Sequence, residues 1–175
     1  MAPRILTTFL LIAMSIRPSF SDGLSSHSHS DVTSAVSGTL IDVPAVAKDA
    51  AATVARFTAA LSGGRLAAAG AELDAKVLIV EGGDAERSAA EYLANHAKAD
   101  AAFLKTAHQQ VLSRVARASG ELAWVATESE LHVQKDGKPV TVLSTETMVL
   151  RHGPAGWKIV HIHWSSRKKD PAAAH

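Results

Sequence analysis

The sequence predicts an α+β fold, with N-terminal helices packed on a curved antiparallel meander sheet, and three observations carry that prediction. Apolar residues recur at helical spacing in the stretches between residues 44 and 103. Four long alternating segments then follow one another, joined by glycine-bearing turns and with no helix between them. The last, Gly156–Arg167 (GWKIVHIHWSSR), sets Trp157, Ile159, His161 and His163 on one side and Val160, Ile162 and Trp164 on the other. A strand that is apolar or aromatic on both faces belongs in the middle of a sheet.

Composition bounds the answer further. At 175 residues and 47% hydrophobic, the chain suits one domain of ordinary size with appendages. It has no cysteine, which excludes disulfides, thiolate metal sites and a cysteine nucleophile. The formal charge is +1, but Arg4 and Arg17 lie in the first 21 residues. Without them 16 basic residues face 17 acidic ones, so no basic surface points to a nucleic-acid partner.

Residues 1–21 read as a secretory signal peptide: Arg4 gives a positive start, Ile5–Ile16 an apolar run, and Ser19-Phe20-Ser21 small residues at cleavage spacing. The alternative is an uncleaved anchor, although the run is shorter than the ~20 residues that span a bilayer. The expectation is an exported protein, secreted or periplasmic, with no membrane insertion once the signal is removed. Residues 22–44 are expected to form a flexible linker, being rich in serine and poor in large apolar residues. Its His27-Ser28-His29 reads as a weak metal tether or as incidental polar residues. Residues 45–168 then form the folded domain, and 169–175 a disordered tail.

Pro44 suits the first turn of a helix, and Val46, Ala50, Val54, Phe57 and Leu61 fall on one face of it, with Gly63-Gly64 as its stop. Arg65–Leu73 reads as a short second helix and Lys76–Val80 as a brief strand. Ser88-Ala89-Ala90-Glu91 has the reciprocal capping pattern, and Tyr92, His96, Ala99 and Phe103 are expected on a common face of the helix it starts. A phenol and an imidazole pointing at a sheet are either hydrogen-bonded core residues or the lining of a cavity. Glu81–Arg87, acidic and glycine-bearing, reads as a lid or a solvated turn and does not match a phosphate loop.

The remaining strands are expected at Val111–Ala118, Leu122–Gln134, Pro139–Arg151 and Trp157–Ser166. Asp136-Gly137 is the strongest turn signal, since a two-residue hairpin loop needs positive φ at both positions. Such a loop sets Leu131 opposite Val142, Ser129 opposite Ser144, Thr127 opposite Glu146 and Val125 opposite Met148.

This order of elements resembles the NTF2-like, or SnoaL-like, α+β cone. Locally, Glu146-Thr147-x-Val149 followed by a turn, then Gly156-Trp157-Lys158-Ile159-Val160-His161-Ile162-His163 and Ser165, resembles the association (hub) domain of calcium/calmodulin-dependent kinase II and its bacterial relatives. The resemblance implies a conical pocket between helices and one sheet face, with the other face open to a second subunit. It places Ser129, Glu146, Met148, Leu150, Val160, Ile162 and Trp164 toward the pocket, and Trp124, Glu128, Thr147, His161 and His163 opposite. Hub domains line the pocket with arginines; the corresponding positions here are Ser129, Met148 and Trp164, which favours an apolar or aromatic ligand over a carboxylate.

The candidate site follows. Glu146, a carboxylate among apolar walls, suits proton transfer, and His96 and Tyr92 on the facing helix complete an acid–base set. The competing reading has Glu146 merely tying sheet to helix. His161 and His163, with Glu128, form a weak alternative as metal ligands; no metal and no cofactor are expected. The functional expectation is a small, largely apolar molecule in the cone of a homodimer joined through its sheets. The alternatives are a cofactor-free isomerase, dehydratase or cyclase using Glu146 and His96, and a hub-like oligomerisation module.

Overall fold

The computed structural model describes residues 38–170; the expected signal peptide, most of the expected linker and residues 171–175 of the expected tail lie outside the described residues, while Lys169, expected in that tail, bonds the Thr141 carbonyl and pairs with Glu130. Strand β1 (Leu40–Asp42) leads through a 3-10 turn (Ala45–Ala47) into helix α1 (Lys48–Ser62) and helix α2 (Leu66–Glu72). Strands β2 (Leu73–Glu81) and β3 (Asp84–Glu86), helices α3 (Ala89–Ala94) and α4 (Ala97–Thr106), and strands β4 (His108–Ser119), β5 (Leu122–Lys135), β6 (Lys138–Gly153) and β7 (Gly156–Lys168) complete the described residues. The seven strands form one sheet in the order β1-β4-β5-β6-β7-β2-β3.

The meander β4 to β7 is antiparallel throughout. The Asp136-Gly137 loop holds both residues at positive φ, 52° and 73°. It sets the expected pairs in register, Leu131 with Val142, Ser129 with Ser144, Thr127 with Glu146 and Val125 with Met148. β7 is interior, between β6 and β2, and pairs with β2 in parallel. Thus β2, expected as the five-residue strand Lys76–Val80, is nine residues long and belongs to the same sheet. Leu40–Asp42, expected within the linker, instead pairs in parallel with Ser113–Val115 as the opposite edge strand.

Helix α1 buries Ala50, Val54, Phe57 and Leu61 as its spacing dictates. Val46 differs: it lies in the 3-10 turn before the helix and is 71% exposed. The core sits between this helical layer and the inner sheet face, where Val77, Ile79, Val125, Met148, Leu150, Ile159 and Ile162 are closed to solvent.

Two departures reposition side chains. The ladder between β6 and β7 pairs Val149 with His161 but Leu150 with Ile159, so Val160 is an extra residue in a bulge. The two-residue alternation of β7 therefore breaks there, and Ile159, expected on the side of His161, joins Ile162 in the core, while Val160 is half-buried rather than an inner-wall residue. The helix expected to run from Ser88 past Phe103 is also interrupted, at Asn95 (φ −107°, ψ −92°). Ala97, Asp100 and Ala101 become its buried side, while Ala99 is exposed and Phe103 38% exposed.

Candidate functional site

Residues directly opposite each other on neighbouring strands share a face, so the register alone defines a polar row across the inner side of the sheet. Arg114 of β4 faces Thr127 of β5, Thr127 faces Glu146 of β6, Glu146 faces Trp164 of β7, and Trp164 faces Glu81 of β2. The next row toward the core is apolar but for its last member: Ala116, Val125, Met148, Ile162, Ile79 and Glu86. The row on the other side is small and polar, with Ser129 opposite Ser144 and Ser144 opposite Ser166.

Within the polar row, Trp164 Nε1 donates to Glu146 Oε2 at 2.8 Å and Arg114 Nε donates to Thr127 Oγ1 at 3.3 Å. Burial pushes the Glu146 pKa above the usual carboxylate range, against the indole N–H, the Arg114 charge and the Thr127 hydroxyl, which favour the ionised form. Trp164 packs beneath the helices, its ring 6.3 Å from Phe57 and 6.1 Å from Tyr92, centroid to centroid. Phe57, Tyr92 and Met148 are fully buried, whereas Glu146 and Trp164 are half-buried. Ser129 is buried and takes a hydrogen bond from Gln109 Nε2 at 3.3 Å.

A second set of titratable groups gathers where α3 breaks into α4. Tyr92 Oη donates to Asp100 Oδ2 at 2.9 Å, and burial raises the pKa of both. His96 Nδ1 contacts Glu86 Oε1, a carboxyl group held on β3 and buried. Glu81, at the end of the polar row, is pushed up to about 7, first by desolvation and then by the nearby Asp100 charge. Expectation named Tyr92 and His96 here but missed Glu81, Glu86 and Asp100. Their convergence depends on β2 pairing with β7 and on the helix break, and only the Tyr92 to Asp100 spacing of two helical turns was a local hint.

Two clefts, of about 490 and 460 Å³, lie elsewhere, around the β6–β7 turn. Residues such as Arg56, Glu72, Trp157 and Lys158 line the larger one. Three residues considered as metal ligands are not brought together: His161 Nδ1 bonds the Leu78 carbonyl at 2.9 Å, His163 lies beside Val80 and Thr147, and Glu128 faces Ser113 and Thr145. Among the described residues no group of three His, Asp or Glu side chains is placed to hold a metal ion.

The SnoaL-like domain family model matches residues 50–167. A provisionally assigned ketosteroid isomerase from Shewanella frigidimarina is 34% identical, covering 73% of this chain and 100% of its own, with a TM-score of 0.64. An NTF2-like protein with a cystatin-like fold from Novosphingobium aromaticivorans is 16% identical over 73% of this chain and 86% of its own, TM-score 0.60. The calcium/calmodulin-dependent kinase II hub of S. rosetta is 22% identical over 71% of this chain and 100% of its own, TM-score 0.58. No curated protein matches the chain.

Proposed function

Given that the chain belongs to the SnoaL-like family of NTF2-like folds, we propose that it binds a small, largely apolar molecule inside the cone, with Glu146 as the polar anchor. The observation that carries this reading is the contrast in exposure between the half-buried Glu146–Trp164 pair and the closed walls of Phe57, Tyr92 and Met148 around it. A carboxyl group with a raised pKa, beside an indole face, suits a ligand with one carbonyl or hydroxyl group on an apolar frame. One row further along the same sheet face, the buried Ser129 takes a hydrogen bond from Gln109, a second polar pair for such a ligand. Native mass spectrometry of the purified chain tests this: an added organic mass, lost in Glu146→Gln, is expected, and its absence from wild-type protein overturns the reading.

A second reading, proton transfer at Glu146 and His96 as in an isomerase or dehydratase, is favoured by the raised carboxyl pKa values on both walls of the cone. The sheet's outer face carries exposed Trp124, Leu78 and Leu112, and we read it as the place where a second copy packs in a homodimer. A hub-like larger assembly is the competing account; sedimentation at micromolar concentration separates monomer, dimer and ring. The leader at residues 1–21 supports export to the periplasm or beyond, tested by N-terminal sequencing of protein recovered from that compartment.

A further inference from the structure

We propose that Glu86 and His96 form a carboxylate–imidazole dyad, in which Glu86 is a positioning residue that fixes the proton on Nδ1 and leaves Nε2 as a proton acceptor at the edge of the cone. Glu86 is set by the sheet: it ends β3, opposite Ile79 of β2, and is 6% exposed. Its Oε1 lies against His96 Nδ1, and among the described residues this buried oxygen has no hydrogen-bond partner, so the ring nitrogen is the group placed to supply its donor. A buried carboxylate oxygen needs a donor, so the pairing selects the ring form with hydrogen on Nδ1. The helix break supplies the other half, because Asn95 leaves the helical path and His96 stands at the head of α4 with its side chain one-third exposed. Among the described residues no hydrogen bond claims Nε2.

This deepens the proton-transfer reading above and rests on it for the presence of a proton donor in the cone. A bound neutral molecule gives its proton to Nε2 while the bonding electron pair stays on the molecule. The imidazolium so formed lies against the Glu86 carboxylate, and returning the proton to a different atom of the molecule restores the neutral ring without any co-reactant.

The test needs no ligand, so its failure is distinguishable from failure of the binding proposal. Long-range ¹H–¹⁵N spectra of the labelled chain report the tautomer of His96 once the pH is high enough for the ring to be neutral. The wild type is expected in the Nδ1–H form. Glu86→Ala is expected to shift the tautomer ratio toward Nε2–H by about tenfold or more, the scale of a charge-assisted hydrogen bond. Should Glu86→Ala not fold, Glu86→Gln, whose amide oxygen is a weaker acceptor, is expected to shift the ratio the same way by less. A wild-type ring in the Nε2–H form, or a ratio unmoved by the substitution that folds, overturns the proposal.

Discussion

The indole N–H of Trp164 and the carboxylate of Glu146 are joined at 2.8 Å between two directly paired positions of neighbouring strands. The pair is therefore held by the sheet register itself, and the rest of the polar row follows from the same register. Replacing Trp164 by phenylalanine keeps a ring against Phe57 and Tyr92 but removes the donor. We expect a loss of ~1–3 kcal/mol, read as a lowered denaturation midpoint. A double-mutant cycle with Glu146→Leu, which removes the acceptor, should give a coupling of ~1 kcal/mol or more; a coupling of zero would mean that the bond contributes nothing in solution.

Tyr92 and Asp100 make the corresponding bond on the helical wall, and here both partners are buried. Tyr92→Phe leaves the Asp100 carboxyl without its phenol, so a loss of ~1–3 kcal/mol is expected in chemical denaturation. A change below ~0.5 kcal/mol would show that water replaces the phenol.

Acid should stabilise this fold through its raised carboxyl groups. The Glu81 pKa lies at about 7 in the folded chain against 4.5 for the ordinary side chain, and those of Asp100 and Glu146 are raised too. In that window the folded state binds more protons than the unfolded one. The contribution is therefore fully present below about pH 4.5 and is lost as the pH rises through about 7. For Glu81, half-buried and partly screened, this amounts to ~1–3 kcal/mol. Melting temperature should fall across the window in the wild type, and more shallowly in Glu81→Gln; identical slopes would refute the assignment.

Phe57 closes the floor under Trp164. Truncation to alanine should cost ~3–5 kcal/mol and leave a cavity beside the indole. If the variant remains folded, Trp164 fluorescence should respond to a small apolar probe more strongly than in the wild type. No response would place the indole away from any space a ligand reaches.

Much of this arrangement was legible in the sequence, for reasons that are local. Asp136-Gly137 dictates a two-residue hairpin loop, and one loop length fixes the pairing of Thr127 with Glu146 and of Val125 with Met148. Ser88 likewise announces its role, accepting from the Glu91 amide at 3.0 Å. What stayed hidden depends on contacts distant in sequence. The bulge at Val160 moves Ile159 across the sheet although the apolar pattern reads equally well either way, because both sides of β7 are covered or aromatic. The break at Asn95 has no proline or glycine to mark it, so Ala99 and Phe103 kept a helical pattern that the folded chain does not use. Glu81 and Glu86 read as solvated until β2 is paired with β7 and brings them against Asp100 and His96.

The most direct measurement is the native mass of the chain purified without added ligand, set beside that of Glu146→Gln. Occupancy of the cone predicts an organic molecule carried by the wild type and released or much weakened in the variant, with both proteins folded. A wild-type chain that flies at its bare mass, or an adduct held equally by the two, contradicts it.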